Sequence, residues 1–337
     1  MSLPLGAADA DPGESPTPLP AGGVNQIGAT LPLIGDEWNL LLVQQSLLGA
    51  RRFGEWKARL PISNSVLTNR LTRLTEVGVH RRQQYSERPE RHEYLLTARG
   101  RALWPVMLSI WEWERRWVPE HAAALPHKVH RSCGSAFRAL LTCEACGGVV
   151  HPRDVAGSWG PSGSWERSVP AATTRRRAAP AAPVVGVTDG PGMFPETMAL
   201  IGNRWSSALL GAAFRGATRF GEFQTFLGAP PTVVSDRLRT FTDLGVLAPR
   251  PDPERADWAQ YHLTDKGRAF FPVVETTLRW GQDWFRAPEG PAVVQVHRGC
   301  GQTFEPCLAC DVCRSRLRGA DIEIVGAAAP SLDEETP

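Results

Sequence analysis

The chain has 337 residues, 42% of them hydrophobic and 8% aromatic, and a formal net charge of +2. That length suits two domains or slightly more, and the apolar content is ample for two cores. The charge total by itself names no partner, and no stretch approaches the roughly 20 apolar residues that span a bilayer. Residues 1–24 have neither a basic start nor a continuous apolar run, so a soluble protein of the cell interior is expected. Seven cysteines in such a chain are expected to be reduced or metal-bound rather than paired in disulfides.

The sequence repeats itself at an offset of 167 positions without a gap for more than a hundred residues. Ile34-Gly35-x-x-Trp38 returns as Ile201-Gly202-x-x-Trp205, and Arg52-Phe53-Gly54-Glu55 as Arg219-Phe220-Gly221-Glu222. Leu96-Thr97-x-x-Gly100-Arg101-Ala102 returns as Leu263-Thr264-x-x-Gly267-Arg268-Ala269. A period this long is a duplicated domain rather than one turn of a solenoid.

In chain order, residues 1–28 carry many breakers and no hydrophobic period, and read as a disordered arm. Trp38, Leu41, Leu42, Gln45 and Leu48 fall at helical spacing, and Gly49 ends that helix. Phe53 to Leu60 is a short second helix closed by Pro61. Ser63 caps a third, with Val66, Leu67, Leu71, Leu74 and Val77 on its apolar face and Gly78 at its end. Partial alternation in Val79 to Tyr85 and His92 to Leu96, around the polar segment Ser86 to Glu90, predicts a two-stranded wing. Thr97 caps a long closing helix through Trp117, and copy two repeats the order from Thr264.

The expected fold is mainly α with small β wings: tandem winged helix-turn-helix domains at 29–120 and 193–287. Each is followed by a small Cys-rich, zinc-ribbon-like segment, at 121–155 and 288–325. A linker at 156–192, with the run Arg175-Arg176-Arg177, and a loose tail at 326–337 complete the chain. Trp159 and Trp165 are unusual for a free coil; docking on a domain is one reading of them, and a partly ordered linker is the one favoured.

Several blocks in order resemble the HxlR-type transcriptional regulators: Ile34-Gly35-Asp36-Glu37-Trp38, Gly49-x-x-Arg52-Phe53-Gly54-Glu55, Leu67-Thr68-x-Arg70-Leu71-x-x-Leu74, Glu87-Arg88-Pro89 and Tyr94-x-Leu96-Thr97-x-x-Gly100-Arg101-Ala102-Leu103. The resemblance covers about 85 residues per copy. It implies a bacterial, cytoplasmic and nucleoid-associated regulator of double-stranded DNA, with self-association through the first and last helices of each domain. No Cys precedes Cys133, so the N-terminal sensing thiol of some relatives has no counterpart.

DNA recognition needs polar side chains near the start of a groove-sized helix, with cations at the flanks for phosphate. Copy one offers Ser63, Asn64, Ser65, Thr68, Asn69 and Arg73 on the third helix, and Arg88 and Arg91 in the wing, with Arg81 and Arg82 before it. In copy two the helix positions are Pro231, Thr232, Ser235, Asp236 and Thr240, and the wing offers Arg255. Arg70 and Arg237 are candidates that could instead brace the turn. Residues 34–118 hold 14 Lys plus Arg against 9 Asp plus Glu, and residues 201–285 hold 10 against 9, so copy one is expected to be the main reader of an intrachain pseudo-dimer.

Each copy ends in His-x2-Cys-x9-Cys-x2-Cys: His130, Cys133, Cys143, Cys146 and His297, Cys300, Cys310, Cys313. Four N or S donors per copy suit a closed structural zinc site. Reduced thiols without metal, or a thiol switch, are the other readings of the same residues. His127 and His151 lack counterparts in copy two, where Val294 and Arg318 stand, and Cys307 answers Leu140 as an extra thiol. A zinc or thiol enzyme is disfavoured, because four ligands leave no open position and no Ser/His/Asp set, P-loop or dinucleotide glycine motif is present. A winged-helix module that grips another protein remains the alternative.

Overall fold

The computed structural model describes residues 14–125, 127–168, 194–253, 255 and 258–325. In copy one a short β1 (Thr17–Pro18) leads to α1 (Gln26–Ile34), α2 (Glu37–Leu47), α3 (Phe53–Arg59), α4 (Asn64–Glu76), the wing β2 (His80–Glu87) and β3 (Glu90–Leu96), α5 (Ala98–Arg101), α6 (Trp104–Trp117) and α7 (Pro119–Ala124). Its Cys-bearing segment forms β4 (His127–His130), β5 (Ser135–Ala136), β6 (Ala139–Cys143), β7 (Val155–Trp159) and the one-turn α8 (Trp165–Ser168).

Copy two repeats the plan as α9 (Pro195–Ile201), α10 (Arg204–Phe214), α11 (Phe220–Leu227), α12 (Pro231–Asp243), β8 (Leu247–Pro251), β9 (Ala259–Leu263), α13 (Asp265–Arg268) and α14 (Phe271–Trp284). It ends with β10 (Phe285–Arg286), β11 (Val293–His297), β12 (Pro306–Cys310) and β13 (Ile322–Val325). Among the described residues no helix is long and apolar enough to cross a membrane.

The helix starts follow from their caps. Asp36 accepts from the Asn39 N–H, Ser63 from Val66 and Thr97 from Gly100, each supplying a partner to an N–H that the first turn leaves unpaired. α2 is buried from Asn39 to Ser46 on all sides rather than along one stripe, because it is the centre about which the other copy-one helices lie. The expected long closing helix is two pieces: α5 ends at Arg101 and α6 restarts at Trp104. Pro105 explains the break, since it has no N–H to give and its ring obstructs the preceding turn, and Pro272 does the same in copy two. In the wing, strand pairing runs to Glu87 and Glu90, so the loop is shorter than the polar segment suggested.

The supposed arm is built into the fold over residues 14–28. Thr17 and Pro18 pair in parallel with Phe285 and Arg286 of copy two. The Arg99 guanidinium, 1% exposed, donates to Ser15 O (2.8 Å), Thr17 Oγ1 (2.8 Å) and Val77 O (2.6 Å), and lies 5.4 Å from the ring centres of both Trp284 and Phe285. A buried guanidinium needs most of its donors satisfied, and the chain before α1 supplies two of the acceptors.

The start of the supposed linker is also structured: β7 pairs with β11, and Trp165 packs at 5.1 Å on Trp159 and 5.7 Å on Phe226. Residues 1–13 and 169–193, with the arginine run, and the tail 326–337 lie outside the described residues.

The copies meet about an approximate two-fold relation. α6 packs on α14, where Trp113 Nε1 donates to Lys266 O and Trp280 Nε1 to Arg99 O, each at 3.0 Å, and these two bonds exchange under the 167-residue offset. α1, the first helix of copy one, lies against α14 of copy two. That approach is close: a Cβ on Gly281 would stand 2.3 Å from Thr30 Oγ1.

Overfilling this contact is expected to be costly. Gly281→Val should lower stability by about 1–3 kcal/mol in urea unfolding, whereas Gly54→Ala in α3, whose Cβ would meet nothing within 4 Å, should be neutral or stabilising. Equal midpoints for Gly281→Val and the parent would show that α1 and α14 do not approach this closely.

Candidate nucleic-acid interface and metal centres

α3 and α4 form the helix-turn-helix. The Glu55 carboxylate accepts from the backbone N–H groups of Arg51 and Arg52 (2.6 and 3.1 Å), fixing the start of α3. On α4, Leu67, Leu71 and Leu74 are buried, which turns Asn64, Ser65, Thr68 and Asn69 to solvent with Ser63 at the cap and Arg73 half-exposed beyond them. At the wing, Arg81, Arg82, Arg88 and Arg91 are exposed. Arg82 contacts His92 Nδ1 at 2.9 Å, and Arg52 stacks 4.5 Å over the Tyr85 ring, a placement the sequence reading did not anticipate.

Arg70 pairs within the fold. Its Nη2 lies 2.7 Å from Asp36 Oδ2 and its Nε donates to Asp36 Oδ1 at 3.1 Å, so it ties α4 to the start of α2. At the position matching Asp36, Asn203 caps α10, so among the described residues Arg237, the half-buried counterpart of Arg70, has no equivalent acid there. Thr232 and Ser235 are exposed on α12, whose Asp236 sits within 3.4 Å of Arg239. In the second wing, Arg255 lies 4.5 Å over Trp258, which is 53% exposed.

The eight His and Cys candidates gather into two quartets, but not one per copy. One is His130 and Cys133 with Cys310 and Cys313; the other is Cys143 and Cys146 with His297 and Cys300. Each quartet therefore takes two donors from each half of the chain, which corrects the within-copy grouping expected from spacing. The register of β6 against β12 is the cause. Leu141 faces Leu308, its own repeat equivalent, so each Cys-x2-Cys knuckle is delivered to the His-x2-Cys turn of the other copy. The flanking pairs β7 with β11 and β4 with β13 obey the same symmetry, with Val155 opposite His297 and Ile322 opposite His130.

In the first quartet His130 Nδ1 stands 3.5 Å from Cys133 Sγ and 3.3 Å from Cys313 Sγ, and Cys133 Sγ 4.0 Å from Cys310 Sγ. In the second, His297 Nδ1 stands 3.4 Å from Cys146 Sγ and 3.3 Å from Cys300 Sγ, and Cys143 Sγ 4.0 Å from Cys300 Sγ. A tetrahedron with metal–sulfur bonds of about 2.3 Å has edges of about 3.8 Å, so both sets fit one four-coordinate ion.

Tight turns shape both knuckles. Gly134, Gly147 and Gly301 have positive φ, and at the position matching Gly147 the chain places Arg314 at φ 64°. Backbone N–H donation from Ser315 holds the Cys313 thiol down at about 6, and that from Gly148 lowers Cys146; both favour the thiolate a metal binds. Phe137 and Phe304 share a small core with Leu141, Leu308, Cys143 and Cys310. Cys307 belongs to neither quartet; its sulfur is 3.1 Å from Thr142 Oγ1 and burial pushes its thiol up. His127 and His151 also lie outside both.

The chain is 36% identical over 135 residues to an uncharacterized HTH-type transcriptional regulator, Rv3095, of Mycobacterium tuberculosis, covering 40% of this chain and 85% of that one. It is 40% identical over 87 residues to another, YvaP, of Bacillus subtilis, covering 26% and 81%. A solved chain from Pseudomonas aeruginosa, PA1374, is 31% identical over 42% of this chain and 97% of its own, at a TM-score of 0.33. The pattern of the HxlR-like helix-turn-helix family matches residues 33–122 and again 200–289, more than half of the sequence, and the chain belongs to that family of transcriptional regulators.

Proposed function

We propose that the protein is a sequence-specific DNA-binding regulator in which the two copies act as an intrachain pseudo-dimer and copy one is the main reader. The observation that carries this is the exposed polar face of α4, Asn64, Ser65, Thr68 and Asn69, flanked by the wing arginines Arg88 and Arg91. Asn can pair with adenine in the major groove, Ser and Thr can hold phosphate, and the wing cations add counterion-releasing contacts. At the matching positions α12 has Pro231 and Asp236, and the acid would repel phosphate. Copy two then reads a diverged half-site weakly, and an asymmetric operator follows. Such a role places the protein in the cytoplasm at the nucleoid.

Zinc is the ion we assign to the two quartets. One imidazole and three thiolates at tetrahedral spacing are its usual structural donors, and with all four positions filled the ion serves structure rather than catalysis. Each ion would clamp the copies by closing a loop of 183 or 151 residues, between His130 and Cys313 or Cys146 and His297, and long closed loops restrict the unfolded chain most.

Two experiments test these assignments. Arg88→Ala with Arg91→Ala should weaken binding at the operator and reduce the salt slope by about 1–2. Asn69→Ala should lose about 1–3 kcal/mol of discrimination at one base pair. Operator affinity, salt slope and base preference left unchanged in all variants would remove the interface from α4 and its wing.

For the metal, purified protein should hold about two zinc equivalents per chain. Cys133→Ser with Cys310→Ser should leave about one, whereas Cys133→Ser with Cys143→Ser should leave almost none. The reverse order of these two variants would restore one site per copy.

A further inference from the structure

A cavity of about 400 Å³ lies at the junction of the copies, between α1, α10, α14, β7 and α8. That is the size of a small-molecule pocket. Its walls are mainly apolar, with Ile34, Phe270, Phe271, Val274 and Leu278 among them.

The cavity is not a by-product of duplication. The residues of α6 that match Val274, Glu275, Thr277 and Leu278 are Met107, Leu108, Ile110 and Trp111, and all four are buried. Copy two thus has a smaller or more polar side chain at each of these positions.

Glu275 is 2% exposed on the cavity wall. Its Oε1 accepts from Gln295 Nε2 at 3.0 Å, while Oε2, like Thr277 Oγ1 beside it, is buried with no partner among the described residues. An unpaired carboxyl oxygen in an apolar wall costs stability, and a ligand that pairs it recovers that loss. Burial pushes this carboxyl up to about 8, so near neutral pH it is mostly protonated and has a hydrogen to donate. Arg215 and Arg298 also line the cavity and disfavour a cationic occupant, and the apolar wall disfavours a free anion.

The geometry points to a binding site for a neutral, mainly apolar small molecule of about two-ring size that accepts a hydrogen bond from Glu275 through a carbonyl-class oxygen. Its body lies against the Phe and Leu side chains and braces α1 against α14.

Prodan, a neutral naphthyl ketone whose emission shifts to the blue in apolar surroundings, tests this with the full-length protein. We expect saturable one-to-one binding with a blue shift. Leu278→Trp, which installs the copy-one residue, should weaken it at least about tenfold, as should Glu275→Leu, whereas Glu275→Gln, which still donates, should stay within about threefold. Circular dichroism and metal content identical to the parent exclude misfolding. Among competitors, 2-acetylnaphthalene should displace Prodan about tenfold more effectively than 2-ethylnaphthalene. Absence of saturable binding, or an unchanged affinity in Leu278→Trp, would overturn the site. Equal displacement by 2-ethylnaphthalene, or stronger displacement by 2-naphthylmethylammonium, would overturn the ligand class.

Discussion

The antiparallel pairing of β6 with β12 is the contact on which the rest of the molecule depends. With Leu141 opposite Leu308, the two Cys-bearing segments meet about a two-fold relation. Three consequences follow from that one register. The His/Cys quartets become mixed, β7 and β13 are carried onto the opposite copy, and the closing helices α6 and α14 come together with their reciprocal Trp bonds. A slip of one residue would turn the buried Cys143 and Cys310 to the other face of their strands and dismantle both quartets.

Around this centre the symmetry is only approximate, and its departures fall on the outward helix faces, the wings and the cavity wall. The scaffold glycines, the helix caps at Thr97 and Thr264 and the Cys spacing are kept. The outward face of α4 differs from that of α12, and the first wing has strands of 8 and 7 residues against 5 and 5 in the second. The cavity is lined by α14, whose residues differ from those at the matching positions of α6. Packing about a shared core tolerates little change, whereas a solvent-facing position or a ligand-sized space can drift once a second copy holds the fold.

Much of this was legible in the sequence because it is local. Ser63 and Thr97 announce helix starts through their own side chains, Gly49 and Gly78 announce ends, and His-x2-Cys and Cys-x2-Cys spacings announce turns that present donors. Partners distant in sequence were not legible. Nothing in the spacing of Cys143 and Cys146 says whether their histidine is His130 or His297; that is decided by strand register between segments about 165 residues apart. The segment before α1 read as an arm because breakers dominate it, while its anchor, the buried Arg99, lies 84 residues from Ser15. Arg70 stood as a base reader or a brace in the sequence, and its ion pair with Asp36, 34 residues away, could not be read from spacing. The cavity left a signal in the offset comparison, Trp111 against Leu278 and Met107 against Val274, that becomes readable only once α14 is seen to line it.

The mixed quartets also bear on why two copies share one chain. An unfused copy, carrying one His-x2-Cys turn and one Cys-x2-Cys knuckle, could complete a quartet of this kind only by meeting a second molecule, so its assembly would rise and fall with protein concentration. Joining the halves makes that encounter intramolecular, at an effective concentration fixed by the tether rather than by expression level. The fused arrangement stays assembled at copy numbers too low for free subunits to find each other, and its two halves can diverge without any matched homodimer competing for the same partner surface.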